Sequence, residues 1–257
     1  MKSSNKVQIQ QAFTQQAAGF ESERMNFSKQ DYLYSVVQKI APSKTDAVLE
    51  VAAGTCACGR TIAPYSGNVV CLDMTPAMLS VGKSEAGKNH LDNMTFVLGD
   101  AAELPFLNGS FDIVLSRLAF HHFPDIKQPF AEMVRVLKPG GKLVLIDMEA
   151  AEEPLREAED SIEKMRDPSH VRNLSENEML ALYRDSGLSV SCCEVTKMPV
   201  VLQSWLEHTK TPPEIQAQIK DKMLDEMNGG GKTGFSPYVH GVEICFDQRW
   251  LLLIGKK

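Results

Sequence analysis

The sequence predicts an α/β protein built on a doubly wound, seven-stranded and mostly parallel sheet. From residue 47 to residue 148, short aliphatic or β-branched runs alternate with helix-like segments, which is the order expected of parallel strands joined by crossover helices. Several of these runs are apolar along their whole length, as strands covered by helices on both faces must be. The length agrees, because 257 residues exceed a typical domain of about 150 residues but fall short of two.

Five strands are predicted in this alternating region. They span 47–52, 68–72, 94–98, 111–116 and 142–147. The helix before the fifth strand is the clearest, because it follows a predicted N-cap at Asp125 and its apolar residues recur on one helix face. The segment Lys138-Pro139-Gly140-Gly141 is predicted to end this helix, since proline cannot continue a helix and glycine permits the left-handed turn into the next strand.

Further helices and strands flank the alternating region. Upstream, Phe13, Ala17 and Phe20 recur at helix spacing, and 31–40 forms a second predicted helix. Downstream, Ser175-Glu176-Asn177-Glu178 has the form of a capping box and starts a helix that Gly187 ends.

The C-terminal part of the chain is predicted to return to the sheet. Strands are expected at 188–195 and 250–254, separated by a polar, helical insertion. The expected domains are an N-terminal helical lid at 1–42, a cofactor-binding core at 43–200 and 240–257, and a cap insertion at 201–239.

Composition and charge exclude several function classes. The chain carries 27 Lys plus Arg against 33 Asp plus Glu, for a net charge of −6, and no basic run could neutralise a series of phosphates, so no nucleic-acid partner is expected. No stretch approaches the ~20 apolar residues of a membrane span, and the first residues lack the apolar region of a signal peptide. We therefore expect a cytoplasmic protein without a membrane partner.

The six cysteines predict neither disulfides nor a metal centre. They are scattered over a chain long enough to need no covalent staple, and in a reducing compartment we expect them to be small buried apolar residues. Cys56 and Cys58 form only a C-x-C, without a second Cys or His pair at zinc spacing, so no metal is expected.

The strongest local signal is a turn of small residues between the first strand and the next helix. Residues 48–59 read VLEVAAGTCACG, and such a turn lets a cofactor lie against the backbone. Asp73 follows Gly54 by 19 residues at the end of the second strand, where a carboxylate can accept hydrogen bonds from both hydroxyls of a ribose. The sequence thus predicts a site for an adenosine-type ligand, with a tight turn that binds nothing as the alternative.

Two cofactor classes share this layout, and position 56 separates them. A dinucleotide fingerprint would place glycines at 54, 56 and 59, and Gly54 and Gly59 agree with it. Cys56 departs from it, and its Cβ and sulfur are predicted to occupy the space in which a pyrophosphate approaches the backbone. A ligand without phosphate escapes that constraint, so NAD and FAD are disfavoured.

Five motifs follow one another in order within residues 13–148. They lie at 50–56, 70–79, 99–106, 111–123 and 136–141. Together they resemble the class I S-adenosylmethionine-dependent methyltransferases, in particular the type 11 branch that includes the ubiquinone and menaquinone C-methyltransferases. In that family the first turn reads acid-x-G-x-G-x-G; Glu50 and Gly54 match it, whereas Ala52 and Cys56 replace the outer glycines. The resemblance implies S-adenosylmethionine as the cofactor.

The resemblance also implies roles for individual residues. Asp73 would hold the ribose and Met74 would pack against the adenine. Asp100 would accept a hydrogen bond from the adenine amino group, and the Ala101 amide would donate one to the ring. The cofactor-binding residues expected in this way are Glu50, Ala52, Gly54, Asp73, Met74, Asp100, Ala101, Ser116 and Phe20.

Two histidines are the candidates for chemistry on the methyl acceptor. His121 and His122 lie just after the fourth strand, at the edge where such sheets bind ligands. An imidazole titrates near neutral pH, so either histidine could deprotonate an acceptor. The alternative is that one packs in the loop while the other caps a backbone carbonyl. Methyl transfer from a sulfonium needs chiefly alignment and exclusion of water, so a base is required only if the acceptor must lose a proton.

Two other segments have features of binding sites. A charged run after the fifth strand could bind an anionic substrate, although a solvated surface is the favoured interpretation; it contains Arg166, Asp167, His170 and Arg172. Residues 229–233 end like a phosphate-binding loop, but the position of its first glycine is Glu226 and the segment follows a helix, so a flexible hinge is expected.

The sequence therefore predicts an S-adenosylmethionine-dependent methyltransferase that acts on a small-molecule acceptor, as a monomer or homodimer. A non-catalytic S-adenosylmethionine-binding sensor or assembly protein is the alternative.

Overall fold

An eight-stranded sheet forms the centre of the structure, a computed structural model that describes residues 3–20 and 30–257. Its strands are β1 (Ala47–Val51), β2 (Asn68–Asp73), β3 (Met94–Leu98), β4 (Phe111–Arg117), β5 (Leu137–Met148), β6 (Ser189–Val201), β7 (Tyr238–His240) and β8 (Glu243–Lys256). The order across the sheet is β3-β2-β1-β4-β5-β8-β6, with β7 paired to β8. Strands β1 to β5 pair in parallel, whereas β8 runs antiparallel to β5 and β6. The predicted doubly wound, mostly parallel sheet is confirmed, and the short strand β7 is added to it.

Helices cover both faces of the sheet. They are α1 (Ser3–Gln16), α2 (Gln30–Ile40), α3 (Ala57–Ile62), α4 (Pro76–Lys88), α5 (Lys127–Val136), α6 (Arg156–Arg166), α7 (Glu176–Asp185), α8 (Leu202–His208) and α9 (Pro213–Met227). No helix in the described ranges is long and apolar enough to cross a membrane.

Alternate residues of the strands face two separate cores. In β5, Leu143 and Leu145 belong to one core, which α5 and α7 complete, whereas Val144 and Ile146 belong to the other, which α2 and α3 complete. Burial of each such side chain stabilises the fold by roughly 1.5–3 kcal/mol. Because both faces of the central strands are covered, binding groups can gather only at the ends of the strands.

The boundary between α5 and β5 differs from the prediction. The helix begins at Lys127, whose amide donates to Asp125 Oδ1 over 2.9 Å, so Asp125 stabilises the start of the helix from one position before the N-cap residue. Leu137 already pairs with Phe111 of β4, so the strand includes the predicted stop segment 138–141. The pairing is irregular there, and Gly140 adopts a φ of +79°. The glycines therefore form an irregularity within the strand.

The predicted C-terminal helix and strands are present, and the strands are longer than predicted. The capping box is confirmed, since Ser175 and Glu178 exchange side chain to backbone hydrogen bonds, and Gly187 beyond the helix end has a φ of +73°. Strands β6 and β8 extend well past the predicted 188–195 and 250–254. The edge strand β6 is largely exposed, so it lacks the apolar pattern that would mark its full length. For the same reason Cys193 is exposed, contrary to the expectation that the cysteines are buried.

The insertion between β6 and β8 is helical, as predicted, and forms a core of its own. Trp205 of α8 packs against Phe235 and against Phe246 of β8, at ring centroid distances of 5.4 and 5.1 Å. In the glycine-rich segment after α9, the Gly231 amide donates to Asp225 Oδ2 and the Thr233 amide to Glu226 Oε2, both over 2.9 Å. These amides already bind carboxylates of α9, which excludes a phosphate-binding loop.

The turn after β1 alternates left-handed residues. Ala52, Gly54 and Cys56 have φ values of +52°, +53° and +62°. These are the three positions at which the methyltransferase motif carries glycine, so the backbone conformation is kept although two of the glycines are absent. A residue with a Cβ costs about 1–2 kcal/mol in this conformation. Backbone hydrogen bonds oppose that cost, from the Ala53 amide to the Leu72 carbonyl (3.0 Å) and from the Cys56 amide to the Ala53 carbonyl (2.7 Å).

We expect Ala52→Gly to raise the free energy of unfolding by about 0.5–1 kcal/mol, because glycine relieves the left-handed strain at a smaller entropic cost. The matched control is Ala53→Gly, since Ala53 lies next to it and has no positive φ. This control should lower stability by at least about 0.5 kcal/mol. Urea unfolding of both variants measures the difference; a loss of stability in Ala52→Gly equal to that in Ala53→Gly would contradict the strain.

Candidate active site

A cleft of about 1090 Å³, counted to its open mouth, lies over the carboxyl ends of the parallel strands. Its floor comes from the loops after β1, β2, β3 and β4, and its walls from α1, from the end of α6 and from residues 208–209. The ligand-binding edge is where the parallel topology places it.

Ten of the predicted site residues line this cleft. They are Phe20, Glu50, Ala52, Gly54, Asp73, Met74, Asp100, Ala101, His121 and His122. Ser116 does not: its side chain is fully buried within β4, and its hydroxyl has no hydrogen-bond partner among the described residues. Because successive side chains of a strand point to opposite faces, the neighbouring Arg117 reaches the cleft instead.

The carboxylate of Asp73 ties two turns together. Its Oδ2 accepts from the Gly54 amide at 2.8 Å and its Oδ1 from the Thr75 amide at 2.7 Å. Burial raises the pKa of Asp73, and these amide hydrogen bonds oppose the rise. Each carboxylate oxygen has a second lone pair, so the group can still accept hydrogen bonds from a pair of hydroxyls in the cleft.

Glu50 lies beneath the turn after β1. Its Oε2 accepts from the Gly59 amide of α3 at 2.7 Å, and the side chain is buried. Burial raises the pKa of Glu50 to about 7, although the Gly59 hydrogen bond and the Arg117 charge oppose the rise. A Cβ on Gly59 would come within 2.7 Å of Glu50 Oε2, so glycine is required for this contact. Glu50 therefore joins β1 to α3 as well as facing the cleft.

Cys56 does not obstruct the cleft. The prediction that its Cβ and sulfur occupy the space for a pyrophosphate is therefore wrong. The residue is fully buried and is not among those that line the cleft. Its Sγ lies against α4, where a Cβ on Gly82 would come within 2.7 Å of it. The left-handed backbone turns the side chain away from the ligand side, so the substitution of glycine by cysteine leaves the cleft open.

Helix α1 contacts the loops after β2 and β3. Lys6 forms an ion pair with Asp100, and Gln10 Nε2 donates to the Met74 carbonyl at 2.8 Å. Burial acts to raise the pKa of Asp100, but Lys6 and the Ala102 amide outweigh it, and the pKa lies below its ordinary value. Asp100 is thus an ionised acceptor, one oxygen of which already meets a cation of α1.

His121 and Asp147 form a buried pair. Asp147 lies at the carboxyl end of β5, and its Oδ1 is 2.5 Å from His121 Nδ1. The same carboxylate accepts from the Phe120 and Met148 amides at 2.7 and 2.8 Å. Burial acts to lower the pKa of His121, but the Asp147 charge and hydrogen bond prevail and raise it. Sequence reasoning assigned no role to Asp147, although an acid that ends an apolar strand at the binding edge is a recognisable signal.

His122 has a different environment. Its Nδ1 lies 3.1 Å from the Ser169 hydroxyl, and its ring meets that of Phe13 edge-on at a centroid distance of 5.1 Å. Burial, with the charge of neighbouring His121, lowers the pKa of His122 to about 3. His122 is therefore neutral at pH 7, whereas His121 is the more basic of the two.

The charged run after β5 is mostly buried, so its interpretation as a solvated surface is wrong. Arg166, Asp167 and His170 are 7%, 3% and 4% exposed. Arg166 pairs with Glu163 at 3.2 Å, and its guanidinium carbon lies 4.3 Å from the centre of the Trp205 ring. Arg166 and Asp167 line the cleft. They become buried because the insertion packs over them, a contact between parts of the chain far apart in sequence.

No group of three or more His, Cys, Asp or Glu among residues 3–20 and 30–257 is arranged to hold a metal ion.

Comparison with known proteins identifies a family. The family model described as "Methyltransferase domain" matches residues 49–145. The chain is 31% identical over 208 residues to the uncharacterized methyltransferase YcgJ of Bacillus subtilis, an alignment that covers 80% of this chain and 82% of the relative. It is 31% identical over 179 residues to a demethylmenaquinone methyltransferase of Clavibacter sepedonicus, with 68% and 70% covered.

Solved structures agree in fold. The crystal structure of YcgJ superposes with a TM-score of 0.81 at 29% identity, over 89% of this chain and 98% of that one. A putative methyltransferase from Bacillus halodurans gives a TM-score of 0.79 at 26% identity, over 87% and 98%. With five motifs in order, a cleft at the matching edge of the sheet and these relatives, the chain belongs to the type 11 family of S-adenosylmethionine-dependent methyltransferases, and S-adenosylmethionine is its cofactor.

Proposed function

We propose that this enzyme methylates a small-molecule acceptor held in the cleft, and that His121 removes a proton from that acceptor. The observation that carries the proposal is the buried pair of His121 and Asp147, of which His121 lines the same cleft as Asp73 and Gly54. Cofactor-binding groups and a base therefore share one enclosed space.

The residues of the cleft fit the cofactor. A Cβ on Gly54 would meet no atom within 4 Å, so the backbone there borders open space that a ligand can fill. Asp73 offers acceptors for the two ribose hydroxyls, and the ionised Asp100 offers one for an adenine amino group. Phe20, Ala52, Met74 and Ala101 supply apolar or backbone contact along the same wall.

When bound, S-adenosylmethionine supplies a methyl group on a sulfonium, whose leaving thioether needs no assistance from an acid. The chain's own residues must then align the acceptor and exclude water, which can contribute up to roughly 7–11 kcal/mol. Ser116 takes no part in our assignment, because its side chain does not reach the cleft.

His121 suits the role of base because Asp147 fixes its tautomer. A hydrogen bond from Nδ1–H to Asp147 leaves the lone pair on Nε2, directed away from the carboxylate. The proton of the acceptor moves to Nε2, and the adjacent carboxylate stabilises the imidazolium that results. His122, neutral and held against Ser169 and Phe13, lines the acceptor space without changing its charge.

Two segments far apart in sequence enclose the acceptor in our proposal. Phe20, at the end of the N-terminal helical segment, lies 5.1 Å from His208 of α8 between ring centroids, and Phe13 of α1 contacts His122. We therefore assign residues 1–42 as a lid and 201–239 as a cap over the core, a division that confines the acceptor to a small molecule.

Asp73→Asn is expected to weaken binding of S-adenosylhomocysteine by about 10- to 100-fold, because an amide offers one acceptor where the carboxylate offers two and carries no charge. Isothermal titration calorimetry measures the change. Asp112→Asn is the matched control: its carboxylate also accepts from a backbone amide, Ala47 at 2.9 Å, but it begins β4 at the opposite end of the sheet. Equal affinity in wild type and Asp73→Asn would sink the assignment of the ribose site.

His121→Asn is expected to lower kcat by about 100-fold or more, since removal of a general base commonly costs 10²–10⁴. Transfer of labelled methyl from S-adenosylmethionine into a fraction of small metabolites provides the assay. The control is His90→Asn, at an exposed residue with a φ of +54° that asparagine tolerates. An unchanged rate in His121→Asn would refute the base while leaving the transferase activity intact.

Asp147→Asn is expected to lower the pKa of His121, because the charge and hydrogen bond that raise it most are removed, and burial and Arg166 then oppose only the charge of Glu163. Nuclear magnetic resonance titration of the histidine ring protons measures it. If His121 is the base, the acidic limb of the rate profile should shift to lower pH with it. Asp160→Asn, which removes the carboxylate 3.0 Å from His170 Nε2, should leave the His121 titration in place; an equal shift in both variants would contradict a specific pair.

A further inference from the structure

Arg117 is a cation in the cleft that the proposed chemistry does not use. It ends β4 and lines the cleft beside Leu118. Its Nη1 is buried and has no hydrogen-bond partner among the described residues, and none of their ion pairs involves its guanidinium, although the Cys58 thiol hydrogen-bonds to another part of the group. A buried donor without an acceptor destabilises the fold, and more so when it is charged. An acceptor from outside the chain would remove that cost.

The other cations that line the cleft differ in this respect. Arg166 pairs with Glu163, and His121 pairs with Asp147. Glu50 is an acid close to Arg117, but its carboxylate accepts from the Gly59 amide, and burial raises its pKa to about 7 against the opposing charge of Arg117. Arg117 therefore lines the cleft without a direct ion pair to any carboxylate of the described residues, although the Glu50 carboxyl is close enough to feel its charge.

The surroundings fix the position of the guanidinium. Its carbon lies 5.8 Å from the centre of the Trp250 ring, a buried residue of β8. Tyr32 packs edge-on against the same ring at 5.2 Å, and its hydroxyl also lacks a hydrogen-bond partner. Of these residues only Arg117 lines the cleft, so its Nη1 is the buried donor that a ligand there can reach.

Strand register places Arg117 beside the cofactor turn. Glu50 of β1 pairs with Leu115 of β4, so Arg117, two residues later, lies level with Ala52 at the carboxyl edge. Asp73 ends β2 on the other side of β1, and adjacent strands are roughly 4.8 Å apart, so roughly 10 Å separates the two positions across the sheet. The amino-acid tail of S-adenosylmethionine extends from its ribose over a comparable length.

We propose that Arg117 binds the α-carboxylate of S-adenosylmethionine, with its Nη1 donating to a carboxylate oxygen. This assignment rests on the proposed site, in which Asp73 holds the ribose. The cofactor carries no phosphate, so its α-carboxylate is the anionic group that matches a guanidinium whose Nη1 lacks an acceptor in the described chain. The methionine tail then runs from β2 across Gly54 to β4, which directs the methyl group to the part of the cleft that contains His121.

Calorimetry with two ligands tests the proposal. S-adenosylhomocysteine carries the α-carboxylate, and its decarboxylated analogue, 5′-(3-aminopropylthio)-5′-deoxyadenosine, lacks only that group. Wild type should bind S-adenosylhomocysteine more tightly than the analogue by about 10- to 100-fold, the range of a charged hydrogen bond. Arg117→Gln should abolish this preference by weakening S-adenosylhomocysteine alone, with the affinity for the analogue within about threefold of wild type. Arg117→Lys, which keeps the charge but loses the planar fork, should be intermediate.

The control is Arg184→Gln, which removes an arginine whose side chain is 75% exposed on α7. It should leave both affinities unchanged. Equal weakening of both ligands by Arg117→Gln would assign Arg117 a structural role and overturn the proposal, as would no weakening of either. If Arg117→Gln does not fold, the affinities of wild type for the two ligands decide, and equal affinities overturn the proposal. No methyl acceptor is present in this measurement. Failure of wild type to bind S-adenosylhomocysteine at all would instead remove the proposed site itself, and this assignment with it.

Discussion

The carboxylate of Asp73 holds the cleft in shape, because it connects the turn after β1 to the turn after β2. Its two oxygens accept from the Gly54 and Thr75 amides, so a single side chain sets the distance between two loops that diverge from neighbouring strands. The hydrogen bond from the Gly54 amide to Asp73 helps to hold the left-handed residues at 52, 54 and 56 in their strained conformation. Without the hydrogen bonds to Asp73, less would offset the energetic cost of this conformation in the backbone that borders the cleft.

Electrostatics divides the cleft into two halves. On the proposed cofactor side, Asp73 and Asp100 present acceptors, while Arg117 presents an Nη1 donor without a partner among the described residues. On the proposed acceptor side, Arg166 pairs with Glu163 and His121 with Asp147, while the Asp167 carboxylate accepts from the Ser169 amide and hydroxyl. Burial makes an unpaired charge costly, so each buried charge of the cleft has a specific partner or calls for one from a ligand. The two buried histidines illustrate the same rule, since one has a carboxylate partner and the other is neutral.

The enclosure of the cleft depends on contacts between distant parts of the chain. Phe13 and Phe20 from the N-terminal segment meet His122 and His208, which come from the loop after β4 and from the insertion. Water exclusion is the main task left to a methyltransferase whose cofactor carries its own leaving group. The sequence signals for these two segments were only helix periodicity and polarity, which indicate a helix without indicating the partner against which it packs.

The sequence by itself determined the alternating fold, the turn at Gly54, the acid at Asp73 and the two histidines, because strand and helix periodicity and loop chemistry are local properties of the chain. The tertiary structure decided which of these groups share a space. It turned Ser116 and Cys56 away from the cleft, buried Arg166 and Asp167 beneath the insertion, and joined His121 to Asp147 across 26 residues. These outcomes follow from side-chain direction and from packing between remote segments, and neither is encoded in the spacing of residues along one element.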